Sequence, residues 1–185
     1  MGNPLLDRKS PPEWLATMQV IDFKEKISFF ERLYSALENE LSALDAADYP
    51  ADWADTRVSG QLVFSPSTAR DRGVAVEIKA RTDATLVCQR SLEAFRQPLK
   101  AALRAELLGP EEQGSSELDT WELEEVTFRP VDIVDEALVM ELPLSPMQEI
   151  SAGPAAVIDQ ESSQREGTVK PFADLRAQMD KFGDE

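Results

Sequence analysis

The chain has 185 residues, with 35 acidic and 19 basic side chains and a formal net charge of −16 at pH 7. It contains no histidine and one cysteine, Cys88, so it lacks the commonest general base, the commonest metal ligand and any intrachain disulfide. The kinds of catalysis that this composition leaves open use carboxylates, a lysine nucleophile or Mg²⁺. Plentiful carboxylates, however, usually form a solvated surface. We therefore predict a protein that is not an enzyme and needs no cofactor and no metal.

Apolar runs are short throughout the sequence. None approaches the ~18 residues that a membrane-spanning helix requires. The first residues lack a basic segment followed by an apolar stretch, which is the pattern of a secretory signal. We expect a cytoplasmic protein that does not bind membranes.

The charges are unevenly distributed along the chain. Residues 1–100 carry 15 acidic and 13 basic side chains, whereas residues 101–185 carry 20 and 6. A basic segment, residues 70–104, holds 8 basic and 4 acidic side chains. An acidic segment, residues 106–149, holds 13 acidic side chains and one basic one, Arg129. Such an asymmetry indicates which partners the protein attracts, not which fold it adopts.

The first predicted helix follows a loosely ordered tail, residues 1–20. It begins at Asp22, with Asp22 and Glu25 spaced as a capping pair. Apolar side chains then recur at steps of three and four down to about Ala47. They are Ile27, Phe30, Tyr34, Leu37, Leu41 and Leu44. We interpret this stripe as the face of a helix packed on the protein's own core, the alternative being a face that binds a partner.

Strand patterns follow the helix. Thr56 to Phe64 predicts a short strand, and strict alternation from Val74 to Cys88 predicts a half-buried antiparallel strand with Cys88 on its inward side. Residues 99–107 alternate in the same way, with Lys100, Arg104 and Glu106 outward. Because Ala, Leu, Arg and Glu favour helix, the residues alone leave strand and helix both open there.

The second half ends in a linker and a helix. Residues 121–128 predict another strand, and residues 131–139 a short buried helix that Pro143 terminates. The predicted fold class is α+β, an antiparallel sheet with an N-terminal amphipathic helix, a short acidic helix after the sheet and a tethered C-terminal helix. The predicted domains are one α+β domain at 21–147, a disordered linker at 148–169 and the C-terminal helix at 170–185.

Three segments occur in a recognisable order. They are TLVCQRSLEAF at 85–95, VDIVDEALVMELPLSP at 131–146 and KPFADLRAQM at 170–179. Together they resemble the YceD family, which is named for accumulation of large-subunit ribosomal RNA. The residues that carry the resemblance are Cys88, Arg90, Leu92, Asp135, Glu136, Leu142, Pro143, Pro146, Pro171 and Phe172. The resemblance implies a strand for residues 99–108.

One position departs from the family pattern. Many members have Cys-x-x-Cys in the first segment, but here Ser91 stands at the second cysteine. A serine hydroxyl is a poor ligand for a soft divalent ion, so we exclude a structural zinc site. The acidic side chains Asp132, Asp135 and Glu136 are interpreted as charges that complement the N-terminus of their own helix rather than as a catalytic carboxylate pair.

The resemblance implies a cytoplasmic ribosome-biogenesis factor that supports accumulation of large-subunit ribosomal RNA. We expect it to act by binding ribosomal RNA, a ribosomal protein or an rRNA-processing factor, and not DNA. Lys79, Arg81, Lys100 and Arg104 would share a sheet face if their strands pair as a hairpin, and Arg90 is a further candidate contact. Such a face could equally be solvated and balanced by neighbouring acids.

The alternative function is an acidic interaction module. In this hypothesis the acidic segment docks a basic ribosomal or RNA-processing protein, and the chain does not contact RNA. A net charge of −16 disfavours non-specific binding to a phosphate backbone, so RNA contact would have to use the basic segment alone. The sequence favours the acidic segment as the working surface, because a local excess of twelve negative charges tends to destabilise the compact state and is hard to explain by solubility alone.

Overall fold

A computed structural model describes residues 2–68, 73–110, 112 and 119–148. They lie in the first of two units, Met1–Gln148, and the second unit is Glu149–Glu185. The predicted linker beyond residue 148 and the predicted C-terminal helix, with Pro171 and Phe172, therefore lie outside the described residues. Within the described ranges, no helix is long and apolar enough to cross a membrane.

The described elements are three α-helices and one five-stranded sheet. In chain order they are α1 (Pro11–Thr17), β1 (Val20–Lys26), α2 (Glu31–Leu41), β2 (Arg57–Pro66), β3 (Val74–Val87), β4 (Ala94–Leu108), β5 (Thr120–Glu122) and α3 (Pro130–Met140). The strands follow one another in the sheet, β1 to β4 antiparallel and β5 parallel to β4. The predicted α+β class is confirmed, although the short β5 makes the sheet mixed.

Residues 2–19 are not a loose tail, so this part of the prediction is wrong. Leu5 and Trp14 are fully buried, and the Trp14 ring stacks on Phe64 with centroids 5.7 Å apart. The backbone N–H of Ser10 donates to Glu13 at 2.8 Å, which caps α1. The segment has no long apolar period of its own, because only contacts with distant strands bury its apolar side chains.

The predicted start of the first helix is also wrong. Asp22 and Glu25 lie in β1, and α2 begins only at Glu31. β1 pairs with β2, so Ile21 and Phe23 point inward while the residues between them stay exposed. The predicted apolar stripe nevertheless packs into the core, through Phe30, Leu37 and Leu41 among others.

All three helices pack against one face of the sheet. α2 contacts β3, α3 contacts β3 and β4, and α1 contacts β2 and β3. Every inward residue of β3 is buried, as the alternation predicts, and β4 is a strand, as the family resemblance implies. The middle of the opposite face carries no helix and is exposed.

Two predictions at the far end of the sheet need correction. Glu106 was expected to be exposed but is fully buried, because its neighbours Ala75 and Leu108 on the outward side are covered as well. The predicted strand at residues 121–128 is limited to the three residues of β5, although Phe128 forms an isolated bridge with Lys9. The predicted helix after it is confirmed as α3.

Candidate nucleic-acid interface

Four predicted cations lie on the open face of the sheet. In the β3–β4 pairing Arg81 is opposite Lys100, Lys79 is opposite Ala102, and Arg104 is opposite Glu77. All four cationic side chains are exposed. Directly opposite residues of an antiparallel pair have Cβ atoms ~5 Å apart. The hairpin therefore brings these charges onto one surface.

The first two strands extend this surface. Lys24 is opposite Ser59, and Ser59 is opposite Arg81, so one row of residues crosses four strands to Lys100. We define the basic face by the exposed cations of β1 to β4. They are Lys24, Lys26, Arg57, Lys79, Arg81, Arg96, Lys100 and Arg104. The acidic side chains on the same side of the described strands are Asp22, Glu77, Asp83 and the buried Glu106.

Three cations of the basic face are neutralised by acids. Lys26 pairs with Asp55 at 2.6 Å, Lys79 with Glu77 at 2.5 Å and Arg96 with Asp52 at 3.6 Å. The other five form no ion pair in the described part of the chain. They are Lys24, Arg57, Arg81, Lys100 and Arg104. Arg104 nevertheless lies opposite Glu77 and helps to lower the pKa of that carboxyl. The basic face therefore presents four cations without an acidic partner among the described residues, on a protein that is acidic overall.

Cations elsewhere in the described chain are mostly neutralised. Arg8 pairs with Glu125, Arg32 with Glu136 and Arg129 with Asp132. Lys9 lies over the Trp14 ring, 4.5 Å from its centroid. Three of these five cations, counting Arg90, are in ion pairs, against three of the eight on the basic face.

The structure does not bring Arg90 to the basic face. Arg90 lies in the turn after β3, about 20 Å along the chain direction from Arg81 at ~3.3 Å per residue. Its guanidinium donates to the backbone oxygen of Gln148 at 3.5 Å. Arg70 and Arg72, the first cations of the basic segment, lie outside the described residues.

Cys88 is buried at the base of the same turn. Its backbone oxygen accepts from Leu92, whose φ of 58° is in the left-handed region, and its N–H donates to Glu93. The Ser91 side chain, followed by backbone N–H groups that include that of Gln148, lowers the pKa of the Cys88 thiol to about 6. The serine that replaces the second family cysteine thus favours the thiolate form of the first one.

The second motif segment packs against the first. Pro146 is buried, and its carbonyl accepts from the backbone N–H of Gln89 at 2.9 Å. The backbone N–H of Gln148 donates to the Cys88 sulfur at 3.4 Å. Leu142 and Pro143 are half-buried between α3 and this contact. The contacts of these family-motif residues hold the turn in place.

Asp135 of α3 caps a different helix from the one predicted. Its carboxylate accepts from the backbone N–H groups of Arg32 and Leu33, both at 2.8 Å, at the start of α2. Burial raises its pKa against the opposing effect of these two hydrogen bonds. Glu136 pairs with the Arg32 side chain. The interpretation of Asp135 as a charge for its own helix is therefore wrong.

Six of the ten acidic residues of the acidic segment that the structure describes line one cleft, and the others lie elsewhere. Glu106 is buried, and Glu112 is exposed in the loop before β5. Glu122, Glu124 and Glu125 are exposed and line this open cleft of about 710 Å³ together with Asp132, Asp135 and Glu136. Apolar side chains also line it, among them Phe29, Trp121, Leu123 and Met140. Three further acidic residues of the segment lie outside the described residues, namely Glu111, Glu117 and Glu149.

The sequence did not reveal the cations of β1 and β2. Lys24 and Lys26 lie in a segment predicted as the start of a helix, and Arg57 needs two strand pairings to reach the face. The alternation of Ile21 and Phe23 with exposed residues was the signal that could have identified β1. Within the described residues, no group of three or more Cys, Asp or Glu side chains is arranged to hold a metal.

The fold and site define an α+β protein whose sheet is covered by helices on one face and basic on the other. The YceD family model, described as large ribosomal RNA subunit accumulation protein YceD, matches residues 76–177. The chain therefore belongs to the YceD family. Searches of curated proteins and of solved structures each gave no significant match.

Proposed function

We propose that this protein supports large-subunit ribosomal RNA accumulation in the cytoplasm by binding RNA through the basic face, without a catalytic step. The family supplies the connection with ribosomal RNA. The observation that supports the surface is the set of five exposed cations that form no ion pair in the described part of the chain, four of them with no acidic partner there. The cleft acids of the acidic segment, which the sequence favours, are partly neutralised, because Glu125 pairs with Arg8, Asp132 with Arg129 and Glu136 with Arg32.

The overall negative charge does not prevent this binding. At physiological ionic strength the Debye length is about 8 Å, so exposed charges farther apart are largely screened from one another. The cleft glutamates and the basic face belong to different sides of the fold, because the cleft is lined by α2 and α3 and these helices cover the opposite sheet face. RNA phosphates at the basic face therefore experience mainly the local cations.

Crosslinking in cells tests the proposal. Ultraviolet crosslinking at moderate salt, with RNA and protein partners identified from the same sample, is expected to recover large-subunit ribosomal RNA. The crosslinked peptides should come from β1 to β4 and include Lys24, Arg81 or Lys100. Recovery of ribosomal proteins without RNA, or RNA crosslinks confined to other parts of the chain, would contradict it.

A second candidate function rests on the cleft. Glu122 and Glu124 have no basic partner among the described residues, and the cleft combines such acids with apolar side chains. This combination suits a basic segment of a ribosomal or RNA-processing protein. Glu122→Gln with Glu124→Gln should then abolish retention of that protein, whereas loss of basic-face cations should leave it unchanged. The reverse result would support the first proposal.

A further inference from the structure

We infer that the basic face binds double-stranded RNA in preference to single strands, an inference that rests on the proposed function. The sheet face would contact the phosphate backbones of a duplex and would not read individual bases. The argument uses the side chains that this face has, their arrangement, and those that it lacks.

The outward positions of β1 to β4 contain no aromatic side chain in the part of the chain that the structure describes. Phe23, Phe64 and Phe95 in these strands have the inward parity. Proteins that bind single strands on a sheet stack the unpaired bases on aromatic rings, at roughly 1–3 kcal/mol per base. Without such rings, the basic face has no means to hold splayed bases.

The unpaired cations form a two-dimensional array instead of a line. From Lys24 on β1 to Lys100 on β4 there are three strand spacings, about 14 Å in total. From Lys100 to Arg104 along β4 the distance is about 13 Å. A single RNA strand would contact one line of such an array. An A-form duplex has two phosphate rows, which border its wide, shallow minor groove. These two rows can contact cations spread both across the strands and along them.

Polar side chains lie between the cations. Ser59 is opposite Arg81, whose Nε donates to its hydroxyl at 3.5 Å, and Gln61 is exposed opposite Lys79. Hydroxyl and amide groups at the centre of the array can exchange hydrogen bonds with ribose 2′-hydroxyls, which double-stranded RNA displays in its minor groove. The composition of the basic face therefore matches what an RNA duplex presents to a protein.

Fluorescence anisotropy with the full-length protein tests the inference. The probes are a 20-base-pair RNA duplex and one of its strands alone, each titrated at several salt concentrations. We expect the duplex to bind at least tenfold more tightly than the strand. Arg81→Gln, Lys100→Gln and Arg104→Gln combined should weaken duplex binding and reduce the slope of log K against log salt by about three, roughly one per lost phosphate contact.

A matched variant removes the same charge elsewhere. Arg8→Gln, Arg90→Gln and Arg129→Gln combined should leave the affinity and the salt slope unchanged. If the triple variant of the basic face does not fold, each of its single substitutions should still reduce the slope by about one. Equal or tighter binding of the single strand would overturn the duplex inference but leave the proposed function intact. Absence of binding to either RNA would overturn both.

Discussion

Replacing Asp135 by alanine removes the acceptor for two backbone N–H groups at the start of α2. Both hydrogen bonds measure 2.8 Å; the one from Leu33 is buried, and the one from Arg32 is partly accessible to water. A buried donor left without a partner costs about 1–3 kcal/mol. Counting the Leu33 donor fully and the Arg32 donor in part, we expect Asp135→Ala to lower the free energy of unfolding by about 2–3 kcal/mol.

Urea unfolding followed by tryptophan fluorescence measures this change. Asp135→Asn keeps one carbonyl oxygen and should lose roughly half as much. Asp132→Asn is the matched control on the same helix. It removes an exposed pair with Arg129 and should cost less than about 1 kcal/mol. Equal effects of Asp135→Ala and Asp132→Asn would refute the conclusion that α3 caps α2.

The pH dependence gives an independent check on Asp135. Burial raises its folded-state pKa above the ordinary value of 3.8. Its contribution is therefore fully present below the unfolded-state pKa and decreases as pH rises through the folded-state value. The stability difference between wild type and Asp135→Asn should be larger near pH 3 than at pH 7. A difference that increases with pH would contradict the raised pKa.

Four other predictions test the core, the turn and the metal content. Gly60→Ala should lower the urea midpoint, because a Cβ there would lie 2.7 Å from the Phe23 ring; an unchanged midpoint would contradict this. Trp14→Ala should cost roughly 3–5 kcal/mol in urea unfolding, since its ring stacks on Phe64, and a near-neutral effect would exclude α1 from the core. Cys88 should react slowly with thiol reagents because it is buried, and rapid labelling would contradict its burial. The stability that Cys88 contributes relative to Cys88→Ala should be lost as pH falls through about 6, because the folded-state pKa of its thiol is lowered. Elemental analysis should find no stoichiometric zinc, and a chelator should not shift the melting temperature.

The centre of the fold could be predicted because its pattern is local. β3 shows the period of two over 14 residues, and its inward side chains are buried as that period requires. The same parity predicts that Arg81 and Lys100 share one face of the sheet, as they do in the structure. A single hairpin is enough to bring the outward residues of two such strands onto one surface.

The prediction for the N-terminal region failed because a helical period and a strand period overlap in its sequence. Phe23, Ile27, Phe30 and Tyr34 follow steps of four, three and four, which are helical, although Phe23 lies in β1. β1 forms a strand because it pairs with β2. A pairing partner more than 30 residues away cannot be recognised from the local sequence pattern.

The remaining features of the candidate site arise from contacts between distant segments. Lys24 and Arg57 join the basic face only through two successive strand pairings. The role of Asp135 depends on α3 packing beside α2, 102 residues away in the chain at Leu33. Acidic residues in the first turns of a helix are typically interpreted as complementing the dipole of that helix. The sequence gives no sign that Asp135 caps α2 instead.

Complementation in cells lacking the protein tests the central claim most directly. The measurement is the ratio of large-subunit to small-subunit ribosomal RNA in cells that express the Arg81→Gln, Lys100→Gln and Arg104→Gln variant, compared with the Arg8→Gln, Arg90→Gln and Arg129→Gln control at equal protein levels. The account predicts that the control restores the ratio and the basic-face variant does not. Full restoration of the ratio by a folded basic-face variant would contradict it.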